Sequence, residues 1–242
     1  MKNLSILFVL LALPVMSCMK LSSAVLAIHE GDGKITVDKR HPSEFTSVDL
    51  DGAYDVTIVQ GPQSEVRIET DQNLLQNITT TVKNGKLTIS SEGNLQPTKG
   101  INVTITNPSF TALDVEGSSD VKASTPITAS DLSLALEGSG SFNLEVHAQH
   151  LRSQIEGSGD IKLTGDTKSH SIEIDGSGDL AASKLVTDST KIEINGSGDA
   201  SLNVASRLEA STSGSGSIRY TGDVKDVHTS IEGSGSVDRA SN

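Results

Sequence analysis

The string Gly-Ser-Gly-Asp, or a near copy of it, returns seven times in the second half of this chain, beginning at Gly117, Gly138, Gly157, Gly176, Gly196, Gly214 and Gly233. The intervals are 21, 19, 19, 20, 18 and 19 residues. A period near 19 marks a solenoid, in which each unit buries its apolar side only against its neighbours. The flanking residues alternate. Two positions before the first glycine stand Val115, Leu136, Ile155, Ile174, Ile194, Thr212 and Ile231, and four after it stand Val121, Phe142, Ile161, Leu180, Ala200, Ile218 and Val237. Six after it, Leu144, Leu163, Ala182, Leu202 and Tyr220 keep the same parity. A period of two specifies strand. Stacked coils then place ladders of Ile, Leu and Val inside, with Ser and acidic residues outside. Both glycines of a copy share the inward parity, which suits a tight bend or a close approach of walls.

The expected fold class is therefore all-β, a β-solenoid with coils of about 19 residues. A narrow aliphatic core also explains the two Tyr, four Phe and absent Trp among 242 residues. The net charge of −12 and the lack of a basic run argue against nucleic acid as a partner. Residues 33–242 read as one domain, with an irregular N-terminal β part over 33–112 and the repeat coils over 113–242. Within the first part, Val48 to Ile58 resembles a divergent copy of the repeat. Ile78 to Val82 and Lys86 to Ser90 flank Asn84-Gly85, a hairpin turn signal. Gly33 to Asp38, Glu65 to Thr70 and Ile101 to Thr106 alternate as strands, and Asp71 to Gln76 suits a turn or one helical turn.

The chain opens Met1-Lys2-Asn3 and runs apolar from Leu4 to Met16, broken by Ser5 and Pro14. That run is too short to cross a bilayer, which takes about 20 helical residues. A short positive start before such a run is a secretory signal. Val15-Met16-Ser17-Cys18 resembles a bacterial lipobox, so residues 1–17 are expected to be a lipoprotein signal peptide, Cys18 the lipidated N-terminus and 18–32 a tether. The competing reading makes Cys18 incidental, with cleavage at Val25-Leu26-Ala27. Cys18 is the one cysteine, so packing and hydrogen bonds must hold the fold without disulfides. Loss of Lys2 with the leader takes the net charge to −13. Met19-Lys20-Leu21 follow, not an acidic cluster that would signal surface export. The expected location is the outer membrane after secretion across the inner one, on the periplasmic or the exposed side.

Several segments together resemble one family. They are the lipobox, Asp51-Gly52-Ala53-Tyr54-Asp55-Val56, Asp71-Gln72-Asn73-Leu74-Leu75, Gly85-Lys86-Leu87-Thr88-Ile89, Gly100-Ile101-Asn102-Val103-Thr104-Ile105 and the reiterated Gly-Ser-Gly-Asp. In this order they are similar to the head GIN domain family of putative autotransporter adhesins from Bacteroidota-type bacteria, over roughly residues 40 to 236. The resemblance implies a right-handed parallel β-helix on an envelope protein. It implies no functional residue, because adhesion in the family is not assigned to particular positions.

The chemistry most open to the exterior is carboxylate. One position before the first glycine stand Glu116, Glu137, Glu156, Asp175, Asn195, Ser213 and Glu232, and three after it Asp120, Ser141, Asp160, Asp179, Asp199, Ser217 and Ser236. At a spacing of about 4.8 Å such columns repel one another, and Ca²⁺ would relieve that. The glycine-rich nonapeptide of calcium-dependent solenoids is absent, and the breaks at Asn195, Ser213 and Ser217 favour a solvated charged face. A β-helix polysaccharide lyase or hydrolase would need clustered carboxylates and a base in a groove. Asp160, Asp179 and Asp199 with Lys162 and Arg219 are the candidates, but they hold ordinary outward positions, while Phe142 and Tyr220 have core parity. His29, His41, His147, His150, His170 and His228 fall at different offsets, so a solvated surface position is expected for each. No catalytic residue, metal ligand or cofactor is assigned, and Cys18 is the single site residue. The expected function is non-catalytic: adhesion or envelope interaction with a glycan or protein partner. The alternatives are the carbohydrate-active enzyme and a scaffold that stacks end to end on itself. Against stacking, the irregular N-terminal strands and a polar last coil, with Arg239 in an otherwise apolar column, read as caps.

Overall fold

A computed structural model describes residues 28–240. The leader, Cys18 and most of the tether lie outside the described residues. The expected architecture is present: a β-solenoid of about seven turns. Each turn has one wall leading into the glycine and a second leading away from it. Ser47–Gly52, Ala112–Gly117 and the end of Ile127–Gly138 stack in parallel on the first wall. Asp55–Gln60, Asp120–Ala123 and the start of Ser141–Gly157 stack on the second. From Ser141 to Gly214 the strand runs unbroken round the far bend, in Ser141–Gly157, Asp160–Gly176, Leu180–Gly196 and Ala200–Gly214. The repeat intervals of 20 and 18 residues are absorbed as register shifts after Lys162 and Ala182. The ladders named from the alternation are the core: Leu136, Ile155, Ile174 and Ile194 are buried on one wall, and Phe142, Ile161, Leu180 and Ile218 on the other. Each such side chain contributes about 1.5–3 kcal/mol on burial. Among the described residues, no helix is long and apolar enough to cross a membrane.

Gly52, Gly117, Gly138, Gly157, Gly176, Gly196, Gly214 and Gly233 form one column in register. Each has φ between +110° and +147°, a region L side chains rarely enter. The second glycine of a copy has ordinary backbone but no room: a Cβ at Gly159 would lie 2.6 Å from Gly140 O and 2.6 Å from Leu136 Cδ2. This closeness lets the serine between the glycines donate its N–H to the first glycine of the preceding coil. The bonds are Ser139 N to Gly117 O at 2.9 Å, Ser158 N to Gly138 O at 2.9 Å, and Ser177 N to Gly157 O at 2.8 Å.

The column has a built start. The second-glycine position reads Ser119 and then Tyr54 toward the N-terminal end, by the register of Asp120 with Ser141 and with Asp55. The Ser119 hydroxyl donates to Gly52 O at 3.0 Å and accepts from Tyr54 N at 3.1 Å. The Tyr54 ring lies over Gly52, where a Cβ would meet it at 2.8 Å. Val48 to Ile58 is thus a true copy of the repeat, with a tyrosine in place of the second glycine. Above it Lys86–Ser91 and Asn102–Asn107 still stack in parallel on the two walls, and the strands beyond them run antiparallel. Ile78–Lys83 and Lys86–Ser91 form the expected hairpin through Asn84 (φ 52°) and Gly85 (φ 76°). Ile35–Arg40, Glu65–Asp71 and Asn102–Asn107 close the other wall. The Arg40 guanidinium donates to Ile78 O, Leu75 O and Thr80 Oγ1, tying the two walls together.

Two expectations are corrected here. The end of the tether is not free: Ile28–Glu30 pairs in parallel with Asn94–Gln96. The last coil is not polar throughout. Arg239 is exposed and donates to Gly222 O at 2.7 Å, but Val227 and Ile231 hold ladder positions and are 38% and 47% exposed, because no further coil covers them among the described residues.

The glycine column makes a direct prediction. Gly159→Ala forces a Cβ against a backbone carbonyl and should cost about 1–3 kcal/mol in urea unfolding. Gly85→Asn, at a turn with open space around it, should cost only a few tenths.

Candidate functional site

The outward carboxylates are held by the coil lattice itself. Asp160 Oδ1 accepts from Asp179 N at 3.3 Å, Asp179 Oδ1 from Asp199 N at 2.8 Å, and Asp199 Oδ1 from Ser217 N at 2.9 Å. Asp120 Oδ1 accepts from the Ser141 hydroxyl at 2.6 Å. Asp160, Asp179 and Asp199 therefore bond the next coil's backbone, and this offsets the like-charge repulsion of the column. Of the cationic candidates, Arg219 Nη1 is 3.9 Å from Asp199 Oδ2 and both are exposed. The residues weighed for a lyase-like cluster thus form a row of structural acceptors on an open wall.

The second column is relieved by amides and one lysine. Asn195 Nδ2 donates to Asp175 Oδ1 at 2.9 Å, and Gln154 Nε2 donates to Glu156 Oε1 at 2.7 Å. The apparent break at Asn195 is therefore a hydrogen-bond donor set into an acidic row. Near the cap, Lys86 Nζ lies 3.0 Å from Asp114 and 3.5 Å from Asp49. The Asp114 hydrogen bond holds its ammonium above the usual lysine range. Asp49 first, then burial, Glu137 and Asp51, raise the Glu116 carboxyl. Among the described residues, no group of three or more His, Cys, Asp or Glu is placed to hold a metal ion.

The N-terminal end is a clamp that sequence reasoning missed. Asp71 is fully buried. Its carboxylate accepts from Gly33 N at 2.7 Å, Thr98 N at 2.8 Å and the Thr98 hydroxyl at 2.9 Å. Burial pushes its pKa up, but these donors outweigh that and hold it below the usual carboxylate range. Asn73 adds two bonds to the same segment, accepting from Asp32 N and donating to Glu30 O. Beside the clamp, a cleft of about 430 Å³ is lined by Tyr54, Asp55, Leu95, Pro97, Ile101 and Asp120 among others. The Tyr54 hydroxyl donates to Asp51 O at 3.0 Å, and burial pushes its pKa up to about 12. A second groove of about 440 Å³ crosses the outside of the first wall near Lys191, Glu193, Arg207, Glu209 and His228. Neither includes Asp160, Asp179 or Asp199.

The histidines divide. His147 pairs with Asp166, and His150 with Ser169 at 2.8 Å, as exposed rungs of adjacent coils. His170 corrects the surface expectation: it is buried, six positions before its glycine, in the column Leu132, Leu151, His170, Thr190, Leu208. The offset that gives Leu at three of these positions was the available signal. The His170 Nε2 atom shares a 2.9 Å hydrogen bond with the Ser153 hydroxyl, while Nδ1 has no partner. Burial pushes its pKa down to about 3.

The family model described as "Putative auto-transporter adhesin, head GIN domain" matches residues 44–224. No curated protein matches the chain. Among solved structures, a protein from Bacteroides fragilis described as a putative adhesin has a TM-score of 0.85 at 24% identity, covering 88% of this chain and 100% of its own. A putative adhesin from Parabacteroides distasonis has a TM-score of 0.68 at 26% identity, with 88% and 100% covered. A protein from the same species described as a putative lipid binding protein has a TM-score of 0.75 at 22% identity, with 89% and 100% covered.

The buried histidine sets a pH dependence. Its folded pKa of about 3 lies below the ordinary 6.5, so the unfolded chain takes up a proton first. Its contribution to stability is full above about pH 6.5 and falls by up to about 1.4 kcal/mol per pH unit below that. Urea unfolding between pH 7 and pH 5 should show this slope, and His170→Leu, matching its column neighbours, should flatten it.

Proposed function

The chain belongs to the head GIN domain family described as putative auto-transporter adhesins, and from this premise we propose a non-catalytic cell-envelope lipoprotein, anchored through acylated Cys18, whose solenoid walls bind an extracellular or periplasmic partner. The observation that carries the reading is the use of the outward carboxylates. Asp160, Asp179 and Asp199 accept hydrogen bonds from their neighbours' backbone in an open row. A general acid or base needs a free, positioned proton site in a cleft, whereas a regular row of side chains on a stiff wall suits recognition of a repetitive or extended ligand, a glycan or a protein segment.

The clamp gives this reading an orientation. Nine residues separate Cys18 from Ile28, and the span between the two reaches at most about 36 Å when extended. An acylated Cys18 therefore holds the capped end, with Asp71 and Asn94–Gln96, toward the membrane, and the coils stack away from it. A single acyl signal gives weak attachment, whereas a multiply acylated N-terminal cysteine anchors stably.

Two measurements test the proposal. Cys18→Ser should move the protein from the membrane fraction to the soluble fraction while leaving its fold unchanged by circular dichroism; retention in the membrane would overturn the anchor. Protease added to intact cells should digest the wild-type protein as it does in a lysed control. Protection until lysis would overturn the adhesin reading and direct attention to a periplasmic partner.

A further inference from the structure

We propose that the C-terminal coil pairs edge to edge with the same coil of a second copy, antiparallel about a two-fold axis. Asp226–Gly233 is bonded on one side only, to Ala200–Gly214, and Ser236–Arg239 only to Ser217–Thr221. Their outer edges carry no strand among the described residues. An unpaired edge is a template for another strand, and natural edges are blunted by proline, bulges or inward charge. The inward positions of Asp226–Gly233 are Val227, Thr229 and Ile231, with none of these devices; the one charge at a ladder position of the coil, Arg239, lies on the shorter strand and donates to Gly222 O of its own molecule. Their counterparts one coil back, Leu208, Ala210 and Thr212, are buried. One more rung would cover Val227 and Ile231 in the same way.

The occupant follows from charge and from the other end of the molecule. The chain as a whole carries −12, yet residues 217–240 hold three basic and four acidic side chains. Of those acidic groups, Asp226 meets Arg207 of the preceding coil at 3.5 Å and Asp223 meets Arg239 at 3.7 Å. Two such coils therefore approach with little of the repulsion that the acidic walls impose. Head-to-tail stacking would instead meet the edges of Ile35–Arg40 and Ile78–Lys83, which are blunted. At the cap, the Arg40 guanidinium takes Ile78 O and Leu75 O, and Lys39 and Arg40 stand on the outermost strand. An edge that meets only its own kind forms a closed, isologous dimer, and the two-fold operation makes the strands antiparallel. In such a pair the clamps at Ile28–Glu30 lie at opposite ends. If the anchoring reading above holds, the two copies then reach one another from opposing surfaces.

The pairing itself is tested in solution, without a membrane, so its failure is separate from any failure of the anchoring reading. The full chain with Cys18→Ser should show twice the monomer mass by size exclusion with light scattering. Val227→Lys and Ile231→Lys should each weaken the dimer by at least about tenfold, while Val186→Lys, at an exposed valine far from the edge, should leave it intact. Hydrogen exchange of the unsubstituted Asp226–Gly233 segment should slow as concentration rises, which reads the same edge without any change to the coil. Monomer at all concentrations, an open series of larger species, a dimer that survives both edge lysines, or exchange independent of concentration would each overturn the proposal.

Discussion

The structure depends on the contact between one glycine carbonyl and the serine amide of the next coil. That bond, 2.8 Å from Ser177 N to Gly157 O for example, exists only where no Cβ intervenes, and so it fixes glycine at two positions of every full copy. It also fixes the rest of the coil by register. Once Gly157 stands against Gly176, Ile155 stands against Ile174 and Phe142 against Ile161. Parallel stacking of this kind places like on like, which rewards identical aliphatic side chains inside and penalises identical charges outside. The interior gains from repetition, and the exterior must be managed row by row.

That management accounts for most of the polar chemistry. Asp179 and Asp199 turn a repulsive column into a chain of acceptors for backbone N–H groups. Asn195 supplies a donor where the other row needs one, and Lys86 sits between Asp49 and Asp114 where the acidic rows meet the cap. The departures from the repeat are as structural as the repeat. Tyr54 and Ser119 close the start of the second-glycine column, the Ser119 hydroxyl bridging Gly52 O and Tyr54 N and the Tyr54 ring lying over Gly52.

What was legible in the sequence was whatever repeats. The strand parity and the inward ladders follow from spacing alone, because each is sampled several times, and the hairpin at Asn84-Gly85 follows from a residue pair that few other turns accept. Single events were harder to read. Asp71 has the composition of any surface aspartate, and its burial depends on Gly33 and Thr98, 38 and 27 residues away in sequence. His170 was readable in principle, since its offset from Gly176 matches Leu151 and Leu208, but residue type suggested surface while register required core. In a solenoid the register has priority: the backbone of a coil cannot rotate one residue outward without breaking its bonds to both neighbours.

The same priority bears on function. A catalytic centre asks a few residues to depart from their neighbours in geometry and pKa. Here the strongest departures, His170, Asp71 and Tyr54, are a core ladder residue, a clamp and a column cap, and each serves the fold. The outward positions, by contrast, vary in side chain while the backbone beneath them stays constant, as Arg152, Ser171, Lys191, Glu209 and His228 do along one row of the first wall. A constant scaffold with a variable outward row is the arrangement in which binding specificity can change without loss of stability, and the fold itself persists in solved structures only 22–26% identical to this chain.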